Sequence, residues 1–451
     1  MSISTQFSVP QRMERLPLTS YQKKIFYIIA TAWFFDSMDL GMLTFVLGSI
    51  KTDLGLTTVQ AGLLSSFSFL GMFFGAASAG MAADKFGRKI VFQTSMILWG
   101  AASIACAFTQ NVEQLALARF FLGLGMGMEF PIGQSLISEF IPAKNRGRYI
   151  ALLEGFWPIG FIAAGILSYF LLPIGGWRLV FLCEGIPAIF VLIIRRMVPE
   201  SPRWLADTNQ DEKADMVMTA FEKNVEKAYG KELPPPIKDD NLVIGKHEKK
   251  FSFLQLWAPG YKKRTIMVWL LWFFALLGYY GLTTWLSAFL QEAGYSVTKS
   301  VYYTIMISLA GIPGFFSAAY FIEKNGRKPT LIVVLIGCAV FAYLYGTASS
   351  LQTLIGFGLG MQFFLFAMWS SLYAYTPELY PTRARATGTG FASSVGRFGS
   401  LLGPYIVAVV LPTLGNSGVF ALGAACFIAA ALSVAILGEE TKGRVLEEIS
   451  A

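Results

Sequence analysis

Asp84-Lys85-Phe86-Gly87-Arg88-Lys89 is a short polar stretch between two long apolar runs, and its glycine predicts a tight turn. A second copy, Glu323-Lys324-Asn325-Gly326-Arg327-Lys328, begins 239 residues later. Three further pairs have the same offset, namely Glu139 with Glu378, Arg146 with Arg385 and Glu200 with Glu439. One constant offset over four landmarks indicates that the chain consists of two copies of one half.

The composition indicates that lipid is the solvent of most of the chain. Of the 451 residues, 55% are hydrophobic and only 14% are charged, and the mean hydropathy is +0.55. A soluble chain of this size carries about 25% charged residues. The net charge of +8 does not indicate nucleic acid, because the basic residues lie in short loops between apolar runs. The four cysteines lie inside apolar runs, so no disulfide framework, metal or other cofactor is expected.

Twelve apolar runs are long enough to cross a bilayer, since each crossing needs about 20 mostly apolar residues. They are predicted to be helices because an open strand edge leaves backbone groups unpaired in lipid. The predicted spans are 25–50, 58–82, 88–108, 112–139, 147–172, 177–197, 264–290, 299–322, 329–347, 351–375, 386–411 and 415–437.

The distribution of basic residues predicts the domain organisation and the orientation in the membrane. Loops rich in Lys and Arg alternate with loops that have almost none, which places both termini and the central loop in the cytoplasm. The central loop contains a helix-compatible region near 210–229 and no nucleotide-binding loop that would indicate an ATP-driven pump. The predicted parts are a cytoplasmic N-terminal segment (1–24), a six-helix bundle (25–197), a cytoplasmic linker with short helices (198–263), a second six-helix bundle (264–437) and a cytoplasmic tail (438–451).

The predicted organisation resembles the major facilitator superfamily: six spans are followed by a linker and six more spans, and the hexapeptide follows the second and the eighth span. The stretch Arg119-Phe-Phe-Leu-Gly-Leu-Gly-Met-Gly127 is similar to the fourth-helix motif of that superfamily. Pro199-Glu200-Ser201-Pro202-Arg203-Trp204 is similar to the end of one half in its sugar-porter branch. The resemblance implies an all-α membrane protein, in which two pseudo-symmetric six-helix bundles enclose a central site.

Other segments resemble the bacterial niacin (nicotinate) transporter group, which lies near the metabolite:proton symporters. They are Trp33-Phe-Phe-Asp-Ser-Met-Asp39, Leu152-Leu-Glu-Gly-Phe-Trp157 and Tyr373-Ala-Tyr-Thr-Pro-Glu378. This resemblance implies a proton-linked or facilitative carrier for a small organic acid. The seventh span has no amide side chain before Gln291, whereas hexose carriers place amides there to satisfy the sugar hydroxyls.

Six ionisable side chains lie inside the predicted spans. Placing a charge at the bilayer centre costs about 3 kcal/mol, so each of them is expected to have a structural or functional role. They are Asp36, Asp39, Arg119, Glu129, Glu154 and Arg397. Asp36 and Asp39 share a helical face, and two carboxylates so close favour holding a proton. Resemblance to proton-coupled sugar porters implies that Asp36 pairs with Arg119. The alternative is a static ion pair that joins the first and fourth spans.

The sequence is compatible with more than one role for Glu129 and predicts a gate role for Glu154. Glu129 precedes Pro131, which frees a backbone carbonyl and opens a polar spot in the helix. Glu129 is therefore predicted to be either a proton or substrate site, or a buried carboxylate with hydrogen-bond partners. Glu154 lies about two turns from the cytoplasmic end of its span, where we expect it to pair with loop arginines at a gate.

Arg397 lies near the middle of the eleventh span, and the first repeat has Pro158 at the equivalent position. A guanidinium group binds a planar carboxylate through two parallel hydrogen bonds. Gly396 and Gly399 are expected to leave room for a ligand. Arg397 is therefore predicted to anchor a substrate carboxylate. The alternative is a partner for an acidic residue across the bundle.

Aromatic residues with polar tips, with amides beside them, are expected to complete the substrate site. The predicted substrate-binding residues are Glu129, Gln134, Trp157, Tyr279, Tyr280, Gln362, Trp369, Tyr373 and Arg397. The residues predicted to form the cytoplasmic gate are Asp84, Gly87, Arg88, Glu139, Glu154, Arg327, Glu378 and Arg385. There Arg88 is expected to reach Glu139, Asp84 to lie at the start of the eleventh span, and the second hexapeptide to be the weaker copy.

The sequence therefore predicts a monomeric secondary transporter of the cytoplasmic membrane, with no enzymatic activity. Its expected partners are a small organic anion, protons and the lipid bilayer. The favoured substrate is an aromatic monocarboxylate such as nicotinate, with Asp36, Asp39, Arg119 and Glu129 handling protons. The alternatives are a carrier for a cation or zwitterion held by Glu129 and Asp39, a uniporter, and a receptor that keeps the fold without transporting.

Overall fold

All regular elements of residues 7–236, 256–380 and 382–442, which the computed structural model describes, are helices. Besides a short 3₁₀ helix (Ile186–Phe190), they are α1 (Val9–Glu14), α2 (Ser20–Asp53), α3 (Thr58–Phe86), α4 (Arg88–Ala107), α5 (Val112–Phe140), α6 (Ala143–Glu154), α7 (Phe156–Gly185), α8 (Val191–Met197), α9 (Pro202–Asp207), α10 (Asp211–Tyr229), α11 (Pro259–Thr283), α12 (Leu286–Glu292), α13 (Val297–Leu309), α14 (Gly311–Asn325), α15 (Arg327–Gly346), α16 (Leu351–Glu378) and α17 (Thr382–Leu437).

Ten helical stretches in these residues are long and apolar enough to cross a membrane, and some of them join two consecutive helices of this series. Two of them contain a turn inside the apparent helix, because Gly176 and Gly415 have φ values of 64° and 62°. Glycine has no Cβ and adopts this left-handed conformation without strain. Each of the two helices is therefore a pair of crossings, and the twelve predicted spans are confirmed.

Polar residues at the loop ends start the long helices where the apolar runs begin. The side chains of Thr57, Asn111 and Ser350 each accept a hydrogen bond from the backbone N–H three residues later. Such caps satisfy backbone donors that have no partner in the first turn, and each contributes about 1 kcal/mol.

The hexapeptide turns are alike in both halves. Gly87 and Gly326 have φ values of 97° and 103°, and each separates two consecutive helices. A carboxylate accepts the backbone N–H groups at the start of the following helix, where the helix dipole favours an anion. Glu200 accepts from the Lys89 N–H at 3.0 Å, and Glu440 accepts from the Lys328 N–H at 3.1 Å.

The repeat equivalent of Glu200 is therefore Glu440, and the predicted match with Glu439 is wrong. Glu439 instead pairs with Arg264 at 3.0 Å. The constant offset fails here by one residue, because the backbone contact rather than the residue count defines the equivalent position.

Glycines bring α3 and α5 into backbone contact. A Cβ at Gly71 would lie 2.8 Å from the Leu124 backbone nitrogen and would also clash with the Phe120 carbonyl oxygen. Gly123 of α5 likewise leaves no room for a Cβ beside the Ser68 carbonyl. Small residues at such interfaces let membrane helices pack closely, which replaces the hydrophobic driving force that lipid removes.

The two halves contact each other towards the end of the bundle that carries Lys51, called here the Lys51 end. The Lys51 Nζ lies 2.6 Å from the Glu292 Oε1, which joins α2 to α12. The Ser66 hydroxyl of α3 donates a 2.6 Å hydrogen bond to the Leu401 carbonyl of α17. The hexapeptides lie at the opposite end, called here the Arg88 end.

Part of the linker packs against the N-terminal half. The α10 helix confirms the helical region predicted near 210–229. The buried Arg12 of α1 binds Asp215 and Glu222 of α10, each at 2.6 Å. The boundaries proposed for the bundles, linker and tail stay predictions, and residues 237–255 and 443–451 lie outside the described part.

Candidate functional site

A narrow cavity lies between the two halves, with about 440 Å³ of empty space. Five of the predicted substrate-binding residues line it, namely Trp157, Tyr280, Trp369, Tyr373 and Arg397. The other lining residues are Glu154, Trp272, Leu276, Phe315 and Phe366.

Arg397 reaches the cavity from α17, where the helix packs tightly on α11. A Cβ at Gly396 would meet the Trp272 side chain, and one at Gly399 would meet the Phe273 backbone. The two glycines therefore serve helix packing rather than ligand access, which corrects the expectation that they leave room for substrate. One guanidinium nitrogen lies 3.9 Å from the Met72 sulfur of the other half.

Glu154 lies in the cavity and not at the predicted cytoplasmic gate. Glu154 is the last residue of α6, directly before Gly155, and its side chain lines the cavity. Its carboxylate accepts a 2.9 Å hydrogen bond from the Gln134 side chain. It faces Arg397 across the cavity, and only 6% of the residue is exposed.

Aromatic rings form most of the remaining wall. Trp369 and Tyr373 are stacked with ring centroids 5.6 Å apart, and the Trp272 ring meets Tyr373 edge-on at 5.7 Å. These rings pack on one another and give the cavity a mostly aromatic wall.

Some predicted substrate residues lie behind this wall. Tyr279 packs edge-on against Trp369 but does not line the cavity. Gln362 is buried outside the lining, and Gln134 supports Glu154. Helical spacing could have found Leu276, four residues before Tyr280, and Phe366, three before Trp369. We see no sequence signal for Phe315.

A second group of charges lies inside the N-terminal half. Four carboxyl groups, those of Asp36, Asp39, Glu129 and Glu184, are buried together with Arg119. The Arg119 guanidinium lies 3.9 Å from Asp39 and donates a 2.8 Å hydrogen bond to Ser68. The sequence-based pairing of Arg119 with Asp36 is therefore wrong.

The partner of Asp36 is Glu129 of α5. The two carboxyl groups lie within hydrogen-bonding reach of each other, and the Trp99 indole N–H donates to Glu129 at 3.0 Å. No donor in the described residues bonds to either Asp36 oxygen. Two carboxyl groups this close would share a hydrogen bond only if one of them were protonated.

Sequence reasoning missed Glu184. It lies in α7, within the span predicted at 177–197, so an acidic residue in an apolar run was the available signal. Glu184 lies within hydrogen-bonding reach of Asp39, which places two carboxyl groups beside the single Arg119 charge. One proton on this pair would balance the charge.

The Arg88 end carries two ion-pair clusters at equivalent positions. Arg88 binds Asp84 at 2.8 Å and lies 3.8 Å from Glu139, its predicted partner. In the second copy, Arg327 reaches both oxygens of Glu378, with distances of 3.0 to 3.2 Å. The second copy is therefore the tighter one, contrary to the expectation from sequence.

Two gate predictions fall on side chains that are not described. Arg385 belongs to α17, but its side chain lies outside the described part of the structure. The same holds for the side chains at the start of α17, so the proposed contact between Asp84 and this helix stays a prediction.

The difference between the two clusters predicts unequal losses of stability. We expect Arg327→Ala to lower the free energy of unfolding by about 2 kcal/mol, because it removes several charge-assisted hydrogen bonds. Arg88→Ala should cost less than half as much. Melting curves of the purified variants in one detergent measure this, and equal shifts would contradict the assigned difference.

Comparison with known proteins gives consistent matches over nearly the whole chain. The sequence matches the Major Facilitator Superfamily over residues 29–404 and 306–449. It is 38% identical to the niacin transporter NiaP of Acinetobacter baylyi over 97% of this chain and 98% of that protein. It is 29% identical to the 4-hydroxybenzoate transporter PcaK of the same species, over 93% of this chain and 91% of that protein.

Among solved structures, the fold resembles the xylose transporter XylE of E. coli in a partially occluded inward open conformation. The TM-score is 0.76 at 20% sequence identity, over 95% of this chain and 100% of that one. At this identity the likeness concerns the fold alone.

Proposed function

The chain belongs to the major facilitator superfamily, and from that premise we propose that it carries a small aromatic monocarboxylate, nicotinate, across the cytoplasmic membrane. Transport would proceed by alternating access of the central cavity and would be coupled to protons. The observation that carries this proposal is Arg397 in a cavity walled by aromatic rings.

The cavity chemistry supports an aromatic anion. A guanidinium group can hold a carboxylate through two hydrogen bonds, and Trp369 and Tyr373 offer flat faces to the ring. The lining residues include no amide side chain of the kind that hexose carriers use to satisfy sugar hydroxyls, which disfavours a sugar. Relatives named for niacin and for 4-hydroxybenzoate, both carriers of ring compounds by name, support the same substrate class.

The buried carboxyl groups of the N-terminal half support proton coupling. Asp39 and Glu184 lie beside the single charge of Arg119, and Asp36 lies beside Glu129, so each pair of carboxyl groups could hold one proton. Loading and releasing a proton there would change the attraction between α2, α5 and α7. Such a change gives each protonation state its own preferred packing.

The alternative substrate, a cation held by Glu129 and Asp39, has less support. Neither residue lines the cavity, and both are occupied by neighbouring buried groups. The cavity offers one carboxylate, Glu154, and that group faces a fixed positive charge. A cation would therefore meet no net negative charge there.

The proposed orientation follows from the basic loops. The Arg88 end and both termini would face the cytoplasm. The contacts between the halves lie towards the Lys51 end, so this conformation would be closed to the outside. We further propose that the protein works as a monomer, since one chain supplies the whole cavity.

The proposal is tested with purified protein in proteoliposomes. We expect an inward proton gradient to drive accumulation of labelled nicotinate several-fold above its equilibrium level. Asp39→Asn should abolish this accumulation while exchange of nicotinate across the membrane continues, because the variant keeps the cavity but removes a titrating group.

Two results would contradict the proposal. Accumulation that is unaffected by the proton gradient would indicate a uniporter. Binding of nicotinate without any exchange would indicate a receptor. An exposed control, Glu113→Gln, makes a similar chemical change outside the cavity and should behave as the unmodified protein.

A further inference from the structure

Glu154 and Arg397 face each other in the same cavity, one from each half of the molecule. Glu154 is the last residue of α6, and Arg397 lies on α17. Gln134 holds one carboxylate oxygen of Glu154 at 2.9 Å, which fixes the side chain towards the cavity. Glu154 is thus the carboxyl group that the proposed substrate would meet.

Among the residues that line the cavity, Arg397 is the charged group that acts on Glu154. Tyr373 of α16 and Tyr280 of α11 lie close to both residues, and tyrosines are neutral near pH 7. On α2, α5 and α7, which pack against α6, the buried charges are those of Asp36, Asp39, Arg119, Glu129 and Glu184, and these groups lie beside one another.

The charges of the pair balance only while the cavity is empty. An ionised Glu154 and a protonated Arg397 sum to zero, and a bound carboxylate changes the sum to minus one. An uncompensated charge in a narrow cavity with a mostly aromatic wall is unfavourable. One proton on Glu154 makes the net charge of Glu154, Arg397 and the bound carboxylate zero. The positive charge of Arg397 is then balanced by the substrate.

We infer that Glu154 takes up a proton when a carboxylate binds to Arg397, so that anion and proton enter the cavity together. This inference rests on the proposed function and adds to it a coupling site in the substrate cavity itself. Glu154 would also discriminate between substrates, since a neutral ligand gains nothing from its protonation.

The inference is tested by counting the protons taken up on binding. Nicotinate is titrated calorimetrically into the purified protein in buffers of different ionisation enthalpy, over a range of pH. The unmodified protein should take up about one proton per nicotinate at the alkaline end. There its affinity should fall about tenfold per pH unit.

Variants assign the proton to its site. Glu154→Gln keeps a hydrogen-bonding side chain beside Gln134 but cannot titrate, so its proton uptake should drop to zero and its affinity should not change with pH. Glu154→Asp keeps a carboxyl group and should restore the uptake. The control Glu113→Gln should match the unmodified protein.

The outcomes separate this inference from the proposed function. If nicotinate does not bind to the unmodified protein, the proposed function fails. If it binds without proton uptake, or if Glu154→Gln takes up as many protons as the unmodified protein, the inference fails and the substrate stands.

A measurement on the unmodified protein does not depend on the variants. Infrared difference spectra recorded on addition of nicotinate should gain the carbonyl band of a protonated carboxylic acid. A spectrum without this band overturns the inference.

Discussion

Arg397→Ala is expected to lower the affinity for nicotinate by about 100-fold, because removing one partner of a buried charge pair costs about 3 kcal/mol. The substrate carboxylate would remain in the cavity without a counter-charge, beside Glu154. Equilibrium binding to the purified protein and initial uptake rates in proteoliposomes both measure the loss.

Arg397→Lys refines this expectation. Lysine keeps the positive charge but cannot offer two parallel hydrogen bonds in one plane, so its loss should be intermediate. Arg264→Ala is a matched control, since Arg264 lies in the same half but pairs with Glu439 outside the cavity. A folded Arg397→Ala protein that binds nicotinate normally would place the carboxylate elsewhere.

Gly71→Leu should prevent the protein from folding into its native bundle. The side chain would have to occupy the space of the α5 backbone at Phe120 and Leu124, and backbone cannot give way as a side chain can. Overpacking of a tight interface costs about 3 kcal/mol even where neighbours can move. We expect loss of the single peak in size-exclusion chromatography and of the cooperative melting transition.

Gly80→Leu makes the same change on the same helix. A Cβ at Gly80 meets nothing within 4 Å, and the residue is exposed on the outer surface of α3. This variant should elute and melt as the unmodified protein does. If both variants behaved alike, the close contact between α3 and α5 would not be what stabilises this half.

Features set by local chemistry could be predicted from sequence. The twelve spans follow from the length of each apolar run, and the family resemblance, carried by short motifs, is confirmed by the comparisons. The placement of Arg397 in the cavity also agrees with prediction, because a charge at mid-depth of an apolar helix cannot face lipid.

The partners of the buried charges were harder to predict. Asp36 and Asp39 share a helical face, so either could have met Arg119 by spacing alone. The structure places Asp39 beside Arg119 and Asp36 beside Glu129. Glu154 was assigned to the gate from its distance to the helix end, but its side chain lines the cavity between the two halves.

By itself, the sequence determined that this protein is an all-helical membrane protein of two repeated halves, since hydropathy and repeat spacing depend only on the order of residues. Tertiary structure alone decided which carboxyl group each arginine meets, which glycines bring helices together and which aromatic rings reach the cavity. Those contacts join residues far apart in the chain, and they depend on helix tilt and rotation, which are set by the packing of all neighbouring helices together.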